Sequence, residues 1–135
     1  MPSTTTAARD RSGARPPIFS ALEVLGFGYA HISRLLGVST MSVSEWATGK
    51  KPLPIVRALA LNFLVARLTG IIGANLPPPQ TRYARRAQVA LDAAARWCQL
   101  ARDELEEDTG GVYRAEDLER GMALGQRMLD RLEAQ

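Results

Sequence analysis

Apolar positions after residue 17 recur at the three- and four-residue intervals of a helix face, interrupted at a few glycines and prolines. Ile18, Leu22 and Leu25 fit a first helix, which Gly26-Phe27-Gly28 breaks. A second short helix fits Tyr29–Leu36, and Gly37 after it suits a left-handed C-terminal cap. Ser39 and Thr40 are good N-caps for a third helix reaching about Thr48. Gly49 ends that helix, and Pro54 can begin a longer one running through Leu68 or beyond.

The run Pro77-Pro78-Pro79 cannot continue a helix, so residues 77–81 read as a stiff linker between two parts. Beyond it the pattern becomes a heptad. Ala84, Ala87, Leu91, Ala94, Cys98, Ala101 and Leu105 keep 3–4 spacing. Asp108-Thr109-Gly110-Gly111 then turns the chain, and Ala115, Leu118, Met122, Gly125, Leu129 and Leu132 resume the pattern. Two such seams joined by a short loop predict an antiparallel helical hairpin over 82–135. Its simplest register sets Leu105 against Leu118, Ala101 against Met122, and Leu91 against Leu132. Gly121 and Gly125 permit close helix approach, either within the hairpin or between copies.

Charge sharpens this division. Residues 1–82 hold nine basic and three acidic side chains, whereas 83–135 hold eight and eleven. A basic binding module followed by a part with another task is the reading. Residues 1–17, with Arg9, Arg11 and Arg15 and no apolar period, read as a flexible basic arm. The apolar content of 46% excludes wholesale disorder, and sparse β-branched residues favour an all-α fold. One cysteine and one histidine exclude a disulfide framework and a zinc finger. The segment 55–76 is apolar enough to raise the question of a membrane span. Arg57, Asn62 and Arg67 within it favour a buried central helix instead. No stretch near the start has the form of a secretion signal, so a cytoplasmic, nucleoid-associated protein is expected.

The residues from Tyr29 to Trp46 follow a specific physical logic. Two short helices crossing steeply need a residue with positive φ between them, which Gly37 supplies. A small residue, Ser33, stands where the helices cross. Ile32, Leu36, Val38, Val43 and Trp46 are spaced as an inner face, leaving Thr40, Met41, Ser44, Glu45 and Thr48 outside. Such a face can enter a DNA major groove, about 12 Å wide.

At Gly37-Val38-Ser39, Val43-Ser44, Trp46 and Gly49-Lys50-Lys51-Pro52, the sequence resembles the Cro-like, phage-repressor type of helix-turn-helix protein. The resemblance spans about residues 18–68. It implies a four- to five-helix DNA-binding domain over 18–76, with Ser33, Gly37, Val43 and Trp46 as its structural positions. It also implies that Thr40, Met41, Ser44 and Glu45 face base edges. Tyr29, Thr48, Lys50 and Lys51 would then meet phosphates. Tyr29 and Ser33 depart from the family pattern, where glutamine and alanine are usual. The chain has 15 arginines but two lysines, which stand together after the third helix.

Nothing in the sequence points to catalysis, a metal or a cofactor. His31 lacks a nucleophile or carboxylate at recognisable spacing, Cys98 lies on the heptad seam, and Asp103–Asp108 lacks the spacing of a calcium loop. The expected function is a sequence-specific transcription regulator, a repressor by resemblance. It would bind double-stranded DNA as a homodimer formed through 55–76, through 83–135, or through both. Two alternatives are a phage DNA-packaging or replication component, resembling small terminase subunits, and an antitoxin or adaptor that binds a protein through the hairpin.

Overall fold

The computed structural model describes residues 15–76, 82–109 and 114–134. These form six helices and, among the described residues, no strand: α1 (Pro17–Val24), α2 (Tyr29–Leu36), α3 (Thr40–Ala47), α4 (Ile55–Asn75), α5 (Arg82–Thr109) and α6 (Ala115–Glu133). The protein is all-α. Residues 1–14 of the expected arm, the expected linker 77–81 and the turn at 110–113 lie outside the described residues.

Local chemistry sets the helix ends. Pro16 and Pro17 open α1, where a missing N–H costs nothing. Gly37, at φ 74°, closes α2, and the N–H groups of Gly37 and Val38 both donate to the Ser33 carbonyl at 2.9 and 3.1 Å. Ser39 caps α3, its hydroxyl oxygen accepting the Ser42 N–H at 3.1 Å. Pro54 precedes α4 with an extended backbone.

α4 is the centre of the fold. By length and composition it could cross a membrane, being 21 residues long and mostly apolar. Here its middle turns are core: Ala58, Leu59, Ala60, Leu61, Asn62, Leu64 and Val65 are all buried. A helix apolar around most of its circumference must be covered on more than one side. α6 covers one side and α5, together with α1, covers another.

The expected hairpin is not the arrangement found. α6 packs along α4, and α5 packs against α1 and α4, while α5 and α6 meet at most marginally. Leu118 and Met122, expected opposite Leu105 and Ala101, are exposed instead. The α5 seam is buried at Ala84, Leu91, Ala94, Cys98 and Ala101, but of the expected α6 seam only Gly125 and Leu129 are buried. Ala115, Leu118 and Met122 are exposed, and the buried face of α6 runs instead through Gly121, Gly125, Met128 and Leu129. Each seam has α4 or α1 beneath it. α4, apolar around most of its circumference, can cover a seam on each of two sides.

Gly121 and Gly125 explain how closely α6 can approach. A Cβ on Gly121 would lie 2.5 Å from Leu59 Cβ. A Cβ on Gly125 would lie 2.6 Å from Phe63 Cδ1 and 3.0 Å from the Ala60 carbonyl. The glycine pair therefore serves contact within the chain. On the other side of α4, the Cys98 thiol points at the Asn62 carbonyl and Oδ1, 3.7 and 3.8 Å away. Asn62 itself is buried, its side-chain amide donating to the Ala58 carbonyl at 2.8 Å.

One hydrophobic core results. It joins Phe19 and Leu22 of α1, Ile32 and Leu35 of α2, Val43 and Trp46 of α3, and Leu61 and Leu64 of α4 with Cys98 of α5 and Met128 of α6. Residues on both sides of the proline run thus contribute to one core.

Candidate nucleic-acid interface

The elbow between α2 and α3 is built from three devices. Gly37 supplies the positive φ that turns the chain. Ser33, 6% exposed, sits at the crossing, where its hydroxyl donates to the Ala30 carbonyl at 2.7 Å and lies 3.3 Å from Thr40 Oγ1. Since Ser33 has one hydroxyl proton, that second contact is donated by Thr40. Val43 and Trp46 then pin α3 from beneath; Val43 is fully buried and Trp46 is 8% exposed. The Arg57 guanidinium lies 5.5 Å from the Trp46 ring centroid, clamping the indole from α4.

A fourth support comes from far along the chain. Arg131 of α6 donates through Nη1 to the carbonyl of Leu35 in the last turn of α2. A cation there complements the negative end of the helix dipole and satisfies a carbonyl that has no partner within α2. The elbow is thereby fixed to the α4–α6 layer.

On the outer side, Thr40, Met41, Thr48, Lys50 and Lys51 are exposed, Met41 at 72%. Ser44 and Glu45 are half-buried. Glu45 is held: its carboxylate is 3.2 Å from Lys51 Nζ, and its backbone carbonyl accepts the Lys51 N–H at 3.1 Å. The Thr48 hydroxyl donates to the Ser44 carbonyl at 2.8 Å. A phosphate presents only acceptors, so Thr48 would have to release Ser44 before donating to one.

Tyr29 stands at the start of α2 and is half-buried. It lines a cleft of about 260 Å³ with Arg15, Phe19, Glu23, Phe27 and Ile32. In that cleft Arg15 pairs with Glu23 at 2.6 Å and also donates to the Phe19 carbonyl. The half-buried His31 packs its ring 5.0 Å from that of Phe27. Burial pushes the Cys98 thiol above its ordinary range, with Arg102 opposing weakly. Among the described residues, no three His, Cys, Asp or Glu side chains converge as metal ligands would.

The structure thus leaves Thr40, Met41, Thr48, Lys50 and Lys51 exposed, buries Ser33, Val43 and Trp46, and sets the exposed Gly37 at the turn between α2 and α3. Sequence reasoning missed Arg57 and Arg131. Arg57 could have been suspected as a cation inside an apolar helix, but Arg131 carries no local signal. No protein-family model, no curated protein and no solved structure matches the chain.

Proposed function

We propose that the chain is a sequence-specific DNA-binding regulator of the repressor kind, a Cro-like helix-turn-helix protein that lays α3 in the major groove of a double-stranded operator. The observation that carries this reading is the two-sidedness of α3. Val43 and Trp46 hold it rigidly from within, while Thr40 and Met41 project outward beside Lys50 and Lys51. A preorganised helix with short polar and apolar side chains outside, followed at once by two cations, suits base edges flanked by phosphates.

The hydrogen bonds refine the roles. Thr40, its proton engaged by Ser33, presents only an acceptor and would select the amino group of adenine or cytosine. Met41 would meet a thymine methyl. Ser44 lies deeper and would contribute through its hydroxyl after a close approach. Glu45 and Lys51 act as a unit, the lysine keeping the carboxylate away from the DNA backbone. One such helix buries too little for tight binding, so a homodimer on a two-fold site is the proposed assembly.

The test is the salt dependence of binding on a selected site. Lys50→Ala should weaken binding to all sequences alike and lower the slope of log K against log salt by about 1. Lys51→Ala should do the same and weaken binding further, because it also releases Glu45. Thr40→Ala and Met41→Ala should change the selected sequence with little change of slope. Unchanged slopes in both lysine variants would refute the reading.

A further inference from the structure

α5 carries two distinct faces. One is buried on α1 and α4 through Leu91, Ala94, Cys98 and Ala101. The other, also at 3–4 spacing, runs Arg86, Ala90, Ala93, Trp97, Leu100 and Glu104. Trp97 and Leu100 are 40% and 44% exposed there, and Val89 beside them is 67% exposed. An apolar stripe centred on an exposed tryptophan, in a helix otherwise rich in charge, is a contact surface that the chain leaves open at Val89, Trp97 and Leu100.

The stripe is self-complementary. When two copies of one helix pair antiparallel about a two-fold axis, the numbers of facing residues add to a constant. Taking that constant as 190 sets Ala93 against Trp97, Ala90 against Leu100 and Arg86 against Glu104. Small residues meet large ones in both apolar layers. Charge agrees, because α5 begins with Arg82, Arg85 and Arg86 and nears its end with Asp103, Glu104, Glu106 and Glu107. An antiparallel pair lays each basic end on the partner's acidic end, whereas a parallel pair would oppose like charges.

We infer that a second copy of this chain covers the stripe, through an antiparallel α5 pair centred on residues 93–97. This rests on the DNA-binding reading only in supplying its two-fold symmetry; the seam itself is read from α5 alone. Arg86 to Glu104 spans about 27 Å at 1.5 Å per residue, so a seam about 10 Å wide covers about 300 Å² on each copy. That is well below the roughly 800 Å² per partner of a stable complex. The dimer is accordingly weak, and binding to adjacent half-sites of one DNA tightens it.

Sedimentation of the full chain without DNA, from about 1 µM to a few hundred µM, tests this. The wild type should pass from monomer to dimer, and Arg86→Glu or Glu104→Arg alone should weaken association by about tenfold or more. The double variant Arg86→Glu, Glu104→Arg should restore it. The two positions lie too far apart on one helix to compensate each other within a chain, so restoration reports contact between copies. A monomer at all concentrations, single reversals without effect, or a double variant that stays monomeric would overturn the inference. So would loss of the dimer on Ile72→Glu with α5 reversals silent, which would place the seam on α4. DNA affinity of the monomeric variants for a half-site should persist, which separates failure of the seam from failure of α3 as the reader.

Discussion

Replacing Gly121 and Gly70 by alanine should move stability in opposite directions. Both glycines lie inside helices, so alanine gains about 1 kcal/mol of helix propensity at either site. At Gly70 nothing lies within 4 Å of the new methyl, and the gain is kept. At Gly121 the methyl would lie 2.5 Å from Leu59 Cβ, about 1 Å inside the normal carbon–carbon contact. Leu59 Cβ is fixed to the α4 backbone, so no rotamer change relieves the clash and the helices must part. Overpacking of this kind costs about 1–3 kcal/mol, and moving a whole helix belongs at the upper end. The net loss is about 2 kcal/mol. For a chain of this size, each kcal/mol moves Tm by about 3–5 °C. Gly70→Ala should therefore melt a few degrees higher, and Gly121→Ala about 6–10 °C lower, by circular dichroism. If Gly121→Ala also melted higher, α6 would not lie on α4 as described, and the hairpin of α5 with α6 would return as the arrangement.

Three further outcomes follow from the shared core. Truncation after Leu76 removes Cys98, Ala101, Met128 and Leu129 from it, so the fragment should lack a cooperative urea transition; a sharp transition with dispersed amide resonances would show a self-sufficient N-terminal domain. Cys98, 3% exposed and with its thiol pushed up by burial, should react with a thiol reagent only after denaturant is added. The unfolded chain loses that proton first, so stability should decline as pH climbs past the ordinary thiol range of about 8.5, and a Cys98→Ala variant should lack that part of the decline.

Local signals in the sequence were enough for the helices. Gly37 and Ser39 mark the end of α2 and the start of α3 where the backbone places them, because a left-handed cap and a hydroxyl cap depend on adjacent residues only. The pairing of the long helices was not legible in the same way. A 3–4 seam says that a face is buried; it does not say against what, and here the partners are α4 and α1. The same limit applies at the candidate interface. Trp46 could be placed inside from its spacing to Val43, but the Lys51 hold on Glu45, the Arg57 clamp and the Arg131 contact depend on three-dimensional proximity.

The central position of α4 also bears on how the chain is made. Synthesis proceeds from α1 toward α6, so the most apolar helix emerges before either of the helices that cover it. Until α5 and α6 follow, α4 is a bare hydrophobic segment of the length a membrane-insertion machinery or a holding chaperone selects. The contact of Arg131 with Leu35 likewise joins the α2–α3 elbow to α6, so the elbow receives its final support only when α6 docks. A nascent chain would therefore pass through a stage with α4 exposed and the elbow unsupported, and its yield should depend on chaperone capacity more than the number of residues in this chain suggests.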